Sequence, residues 1–138
     1  MTPAPEWITG FVGGEGCFHV GVNHNSGMRC GDQVLPEFTV VQHERDVKAL
    51  LALRDFFECG VVRTNHAERK AYRVRGLDHL VQRIIPFFER HPLQTSKRQD
   101  FEMFRSVVLM MKVGLHLRVD GIGAIRAIAS RMNRGRSR

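Results

Sequence analysis

The sequence predicts an α+β domain, with β-hairpins forming one antiparallel sheet and helices gathered on one of its faces. Three observations lead there. Apolar spacing changes from helical to strictly alternating at Cys17. Two pairs of short strand-like runs are each followed by an apolar stripe at helical spacing. No internal repeat interrupts this order, and 138 residues are enough for a single core.

The elements can be taken in chain order. Pro3 and Pro5 can start a first helix, because proline suits a first turn. That helix is expected to end near Gly13 or Gly14. Phe18, Val20 and Val22 then alternate with His19, Gly21 and Asn23, which predicts a half-buried strand. After the polar loop at Asn25-Ser26-Gly27, a second strand is expected from about Gln33 to Gln42, where Pro36 marks an irregularity or an edge. His43 to Asp46 begin a helix whose stripe is Val47, Leu50, Leu51 and Phe57, stopped by Cys59-Gly60. Val61 to Asn65 and Ala71 to Arg75 read as a second hairpin. Leu77, Leu80, Val81, Ile84 and Phe88 mark a third helix, and Phe101, Phe104, Val108 and Met111 a fourth. A last short helix follows Asp120. The domain is bounded at residues 1–130, and residues 131–138, with four arginines, read as a mobile basic tail.

Charge narrows the function. Twenty-one Lys and Arg against 14 acids leave +7, which favours a polyanionic partner, nucleic acid first and an acidic membrane second. Three scattered cysteines without a Cys-x-x-Cys pair argue against a zinc site and for reduced thiols. No apolar run is long enough to span a membrane and no signal-peptide pattern opens the chain, so an intracellular location is expected.

The most informative stretch is Trp7-Ile8-Thr9-Gly10-Phe11-Val12-Gly13-Gly14-Glu15-Gly16. Gly10 and Gly14 lie four apart and share one face of a helix, so two such helices can approach backbone to backbone. Each would bring a carboxylate, Glu15, to the end of the contact. Paired carboxylates there can hold divalent metal ions where a phosphate passes. By itself, the stretch is equally a glycine-rich helix end with an exposed carboxylate.

Residues 8–16 resemble the signature nonapeptide of the LAGLIDADG homing endonucleases, and the helix–strand–strand–helix–strand–strand–helix order matches that family over nearly the whole chain. The resemblance departs at Gly13, where the family has its first acid; Glu15 stands for the second, the metal ligand. It implies a fold in which the sheet forms a DNA-binding saddle, followed here by extra C-terminal helices. It also implies a catalytic set. Glu15 and the backbone carbonyl of Gly14 would bind Mg²⁺. Gln42 would position a water, with an ordinary strand-end polar residue as the plain alternative. Lys97 would be the active-site lysine, with Arg98 as the other possible register. Ile8, Gly10, Phe11, Gly13 and Gly14 would form the contact between two copies.

The outward strand positions read as a DNA surface. His19, Asn23, Asn25, Gln33 and Thr39 from the first hairpin, and Arg63, Asn65, Arg73 and Arg75 from the second, are residue types that read base edges in a major groove. Lys70, with Arg69 and His66 at the second turn, is expected on phosphates. Trp7, Phe87 and Phe88 are expected to pack rather than stack on bases. A chain with one motif is expected to act as a homodimer on a long, partly palindromic duplex, with half-sites about one helical turn apart. The competing reading is a non-cleaving DNA- or RNA-binding relative, such as an intron-splicing maturase, which Gly13 keeps open.

Overall fold

In the computed structural model, which describes residues 2–133, the chain follows the expected order. Helix α1 (Pro5–Glu15) leads into strands β1 (Gly16–His24) and β2 (Asp32–His43). A 3₁₀ turn at Glu44–Asp46 opens α2 (Val47–Phe57), and β3 (Val61–His66) and β4 (Arg69–Val74) come after it. Next come α3 (Leu77–His79), a π-helical stretch (Leu80–Ile84) and α4 (Ile85–Arg90), which together occupy the place of the expected third helix. Helices α5 (Lys97–Lys112) and α6 (Val119–Ala129) complete the described chain.

The strands form one antiparallel sheet in the order β1-β2-β4-β3. The expected alternation places Phe18, Val20, Val34, Phe38, Val40, Tyr72 and Val74 on the buried side. Phe18 is the hub of the core. It stacks on Phe38 at 5.1 Å, meets Phe88 and Phe101 edge-on at 5.7 and 5.4 Å, and touches Phe104 at 5.2 Å. One ring thus ties the sheet to α4 and α5, and each aromatic contact adds to the burial of apolar area. Phe87 and Phe88 are buried, as their spacing implies.

Pro36 sits opposite Val20, before the β2–β4 pairing begins at Phe38. There β2 has only β1 beside it, where a missing N–H is tolerated. Helix α1 runs further than expected, to Glu15. The turn is made at Gly16, whose N–H bonds the Val12 carbonyl; a Cβ there would lie 2.7 Å from Val12 Cγ1. Gly13 and Gly14 are therefore not the helix stop.

The C-terminal segment also differs from expectation at its start. Met132 and Asn133 are buried. Asn133 donates from its backbone N–H to Asp100 Oδ1 at 3.0 Å and from Nδ2 to the Phe18 carbonyl at 2.9 Å. The rest of the basic tail, 134–138, lies outside the described residues.

Candidate functional site

Helix α1 has two faces. Ile8 and Val12, four residues apart, are fully buried against the sheet. Ile8 therefore belongs to the core and not to the exposed contact expected of it. The outer face carries Trp7, Gly10 and Gly14, with Phe11 and Gly13 half-buried beside them. Trp7 is 43% exposed and stacks on Phe11, one turn further along its own helix, at 5.0 Å. A cleft of about 670 Å³ runs along this face, with Gly10, Gly13 and Gly14 on one side and His91, Pro92 and Thr95 on the other.

A Cβ built on Gly10 or Gly14 meets nothing within 4 Å. A helical glycine costs about 1 kcal/mol relative to alanine. Among the described residues, no neighbour outside the helix crowds these two positions. The space over them is open.

Glu15 ends α1 and is exposed, as is Gly14. The last carbonyls of a helix lack intrahelical partners and carry the negative end of its dipole, so this corner favours cations. Lys97, the first residue of α5, reaches it. It is 8% exposed, and its Nζ donates to the Gly16 carbonyl, one residue beyond Glu15. Arg98 turns outward and pairs with Glu102 at 3.4 Å. Of the two alternatives, Lys97 is the cation brought to the corner. Lys97→Met keeps the buried aliphatic length but removes the donor that Lys97 gives to the Gly16 oxygen. A stability loss of about 1–3 kcal/mol in urea unfolding is expected, with no comparable loss for Arg98→Gln.

Gln42 lies two residues beyond Val40, which pairs with Gly16, and so at the same end of the sheet as Glu15. Its opposite number across the sheet is Lys70, whose Nζ donates to Thr64 Oγ1 at 2.8 Å. Lys70 has the same alternation as Tyr72 and thus stands on the helix side, away from Arg73. It stays near the second turn, at the start of β4, where a phosphate contact is expected of it.

The opposite face of the sheet forms cross-strand rows. One row is Cys17, Thr39, Arg73 and Val61, and another is Val41, Ala71 and Arg63. His19 pairs with Glu37, Gly21 with Leu35, and Asn23 with Gln33. Asn25 lies in the loop beyond β1; its Oδ1 accepts from the Gly27 N–H and its Nδ2 donates to Gln33 Oε1 at 3.2 Å. Asn65 falls at the register shift near the tip of β3. These outward strand positions therefore share one face of the sheet, with Lys70 near the turn between β3 and β4. The acid among them is Glu37. Burial pushes its carboxyl up, but the hydrogen bonds from Thr39 and Arg75 and the charges of Arg75 and Arg73 outweigh burial and hold it below its ordinary value.

Among the described residues no cluster of three or more His, Cys, Asp or Glu could hold a metal, and no helix is long and apolar enough to cross a membrane. At the corner Glu15 offers a carboxylate, and the end of α1 beside it offers backbone carbonyl oxygens. An all-oxygen set of this kind suits Mg²⁺ or Ca²⁺, provided that a second carboxylate joins it.

A motif helix with an open glycine face, an acid at its end and an arginine-bearing sheet are joined in one αββαββα arrangement. Residues 8–108 match the family described as LAGLIDADG endonuclease, and the chain belongs to that family. The crystal structure of a homing endonuclease, I-TnaI, superimposes with a TM-score of 0.94 at 51% identity, over 99% of this chain and 92% of that one. The meganuclease I-SmaMI bound to uncleaveable DNA gives 0.93 at 32% identity, over 97% of this chain and 46% of that one. Homing endonuclease I-ApeII of Aeropyrum pernix is 30% identical over 116 residues, 83% of this chain and 68% of its own length. The chain spans about 25% of the length of the intron-encoded fungal relatives it also matches, from Podospora anserina and Neurospora crassa.

Proposed function

We propose that the chain is a homodimeric, site-specific endonuclease that hydrolyses both strands of a long, partly palindromic DNA duplex with Mg²⁺. The observation that carries this reading is the convergence of Lys97 on the Glu15–Gly16 junction. A cation from α5 and a carboxylate from α1 share one corner, at the end of the glycine face and beside the sheet. I-SmaMI has been crystallised on an uncleaved DNA target in the presence of calcium ions, which supports divalent-metal chemistry in such a site.

Each group has a role set by its chemistry. The divalent ion supplies polarisation of the phosphate and a more acidic water. Glu15 and the Gly14 carbonyl, contributed by each of two copies, would hold it. The Lys97 ammonium stabilises charge developing on the phosphate oxygens. The Gln42 amide orients the attacking water without taking its proton. Phosphate contacts from the rim of the sheet fix the duplex, while His19, Asn23, Gln33, Thr39, Arg63, Arg73 and Arg75 face its base edges. Two copies joined through Gly10 and Gly14 place two such sheets on adjacent half-sites.

The test is incubation of the protein, with Mg²⁺, and a duplex made by joining the sequences that flank its reading frame. Both strands should be cut, leaving short 3′ overhangs, and the protein should sediment as a dimer. Tight binding without cutting, together with stimulated splicing of the surrounding RNA, would replace this reading with the maturase.

A further inference from the structure

The outward face contains an arrangement that its basic and amide residues alone do not explain. Sheet order sets β2 beside β4, so Glu37 comes level with Arg75 and next to the Thr39–Arg73 row. Glu37 Oε1 accepts from Thr39 Oγ1 at 2.6 Å, and Oε2 accepts from Arg75 Nε at 2.8 Å. Arg73 Nε lies 3.6 Å from Oε1 and has no hydrogen bond among the described residues. The carboxylate side chain is only 21% exposed, and the Arg75 side chain is 59% exposed. Arg75 is thus gripped through its inner nitrogen, and its outer part stands clear of the sheet.

That grip has chemical consequences. A guanidinium held through Nε keeps its terminal NH₂ groups in a fixed plane. Such a fork matches guanine O6 and N7. The same carboxylate reduces the charge of the Arg73–Arg75 pair from +2 to +1 and repels any phosphate that approaches it. Charge without sequence information is what drives non-specific binding.

We propose that Glu37 is a specificity-determining residue: it aims the fork of Arg75 at a guanine edge and keeps the arginine pair from settling on phosphates. This rests on the reading of the sheet as a DNA-binding face. It makes an acid on a basic surface a source of discrimination and not a defect of that surface.

The test uses selection from a randomised duplex pool and, separately, titration with one duplex of unrelated sequence. Wild-type protein should enrich sites with a fixed guanine in each half. Glu37→Gln should lose that guanine. It should also bind the unrelated duplex about tenfold tighter at low salt, with a log–log salt slope steeper by about one. Glu37→Asp keeps the charge but is one methylene short. It should lose the guanine while leaving unrelated binding unchanged, and it carries the test if the glutamine variant fails to fold. Arg75→Lys, at an exposed position, should behave like Glu37→Asp, and combining the two should cost nothing further. A wild-type consensus that survives unchanged in the Glu37 variants overturns the role of Glu37 alone. Failure of the wild type to enrich any consensus overturns the DNA-face reading, and the inference with it.

Discussion

Glu15→Gln is expected to abolish cleavage and leave DNA binding intact. The side chain is exposed at the end of α1, so the amide fits without repacking the core. What changes is the charge at the corner where the last helix carbonyls already favour a cation. A bound divalent ion supplies several kcal/mol of transition-state stabilisation, and each 1.36 kcal/mol is a factor of ten. A fall in the single-turnover rate of about 10³-fold or more is expected. Electrophoretic binding in Ca²⁺ should stay within about threefold of wild type, because most of the affinity comes from phosphate contacts on the sheet. Undiminished cutting by this variant in Mg²⁺ would remove Glu15 from the mechanism.

The second large effect concerns Gly10 and Gly14 and has opposite signs at two levels. Alanine at both positions should stabilise the isolated chain, by up to about 1 kcal/mol for each, because helix propensity improves and, beyond the adjoining residues and the helix's own backbone, nothing lies within 4 Å of either new Cβ. The same two methyl groups, doubled by symmetry, should hold two facing helices apart. Sedimentation should therefore show wild-type dimers and monomeric variant, with cleavage lost. The stability gain must be read at dilutions where the wild type is also dissociated, since association itself adds apparent stability. A dimeric, active double-alanine variant would move the contact to another surface.

Much of this was legible in the sequence. The order of the elements through α6, the alternation of β1 and the apolar stripes all have local periodic signals, and the glycine–acid run marked α1 and its corner. Lys97 and Arg98 are singled out only through the resemblance, and it takes the folded chain to bring the Lys97 Nζ to the Gly16 carbonyl. The misreadings share a physical origin. In helix α1, Trp7, Ile8, Phe11 and Val12 form one broad apolar stripe, so spacing alone could not say which of its edges faces the core. The sheet order brings β2 beside β4, a long-range pairing with no local trace in the chain. That pairing opposes Lys70 to Gln42 and sets Glu37 among the arginines. Hairpin strands can be recognised singly, but their neighbours are chosen by the core beneath them.

Asn133 has a consequence for how the chain can be shortened. A cut after residue 130 looks harmless from composition, since residues 131–138 are rich in arginine and hold no large aromatic side chain. It would nevertheless leave the Phe18 carbonyl and an oxygen of Asp100 without the donors that Asn133 supplies. Those two atoms belong to the strand that leaves the Glu15 corner and to the first turn of the helix that brings Lys97 to it. The last described residue therefore acts as a strut between the two parts of the corner. A trimmed protein could still bind DNA and dimerise, yet cut poorly, although none of the removed residues is near Glu15 in sequence.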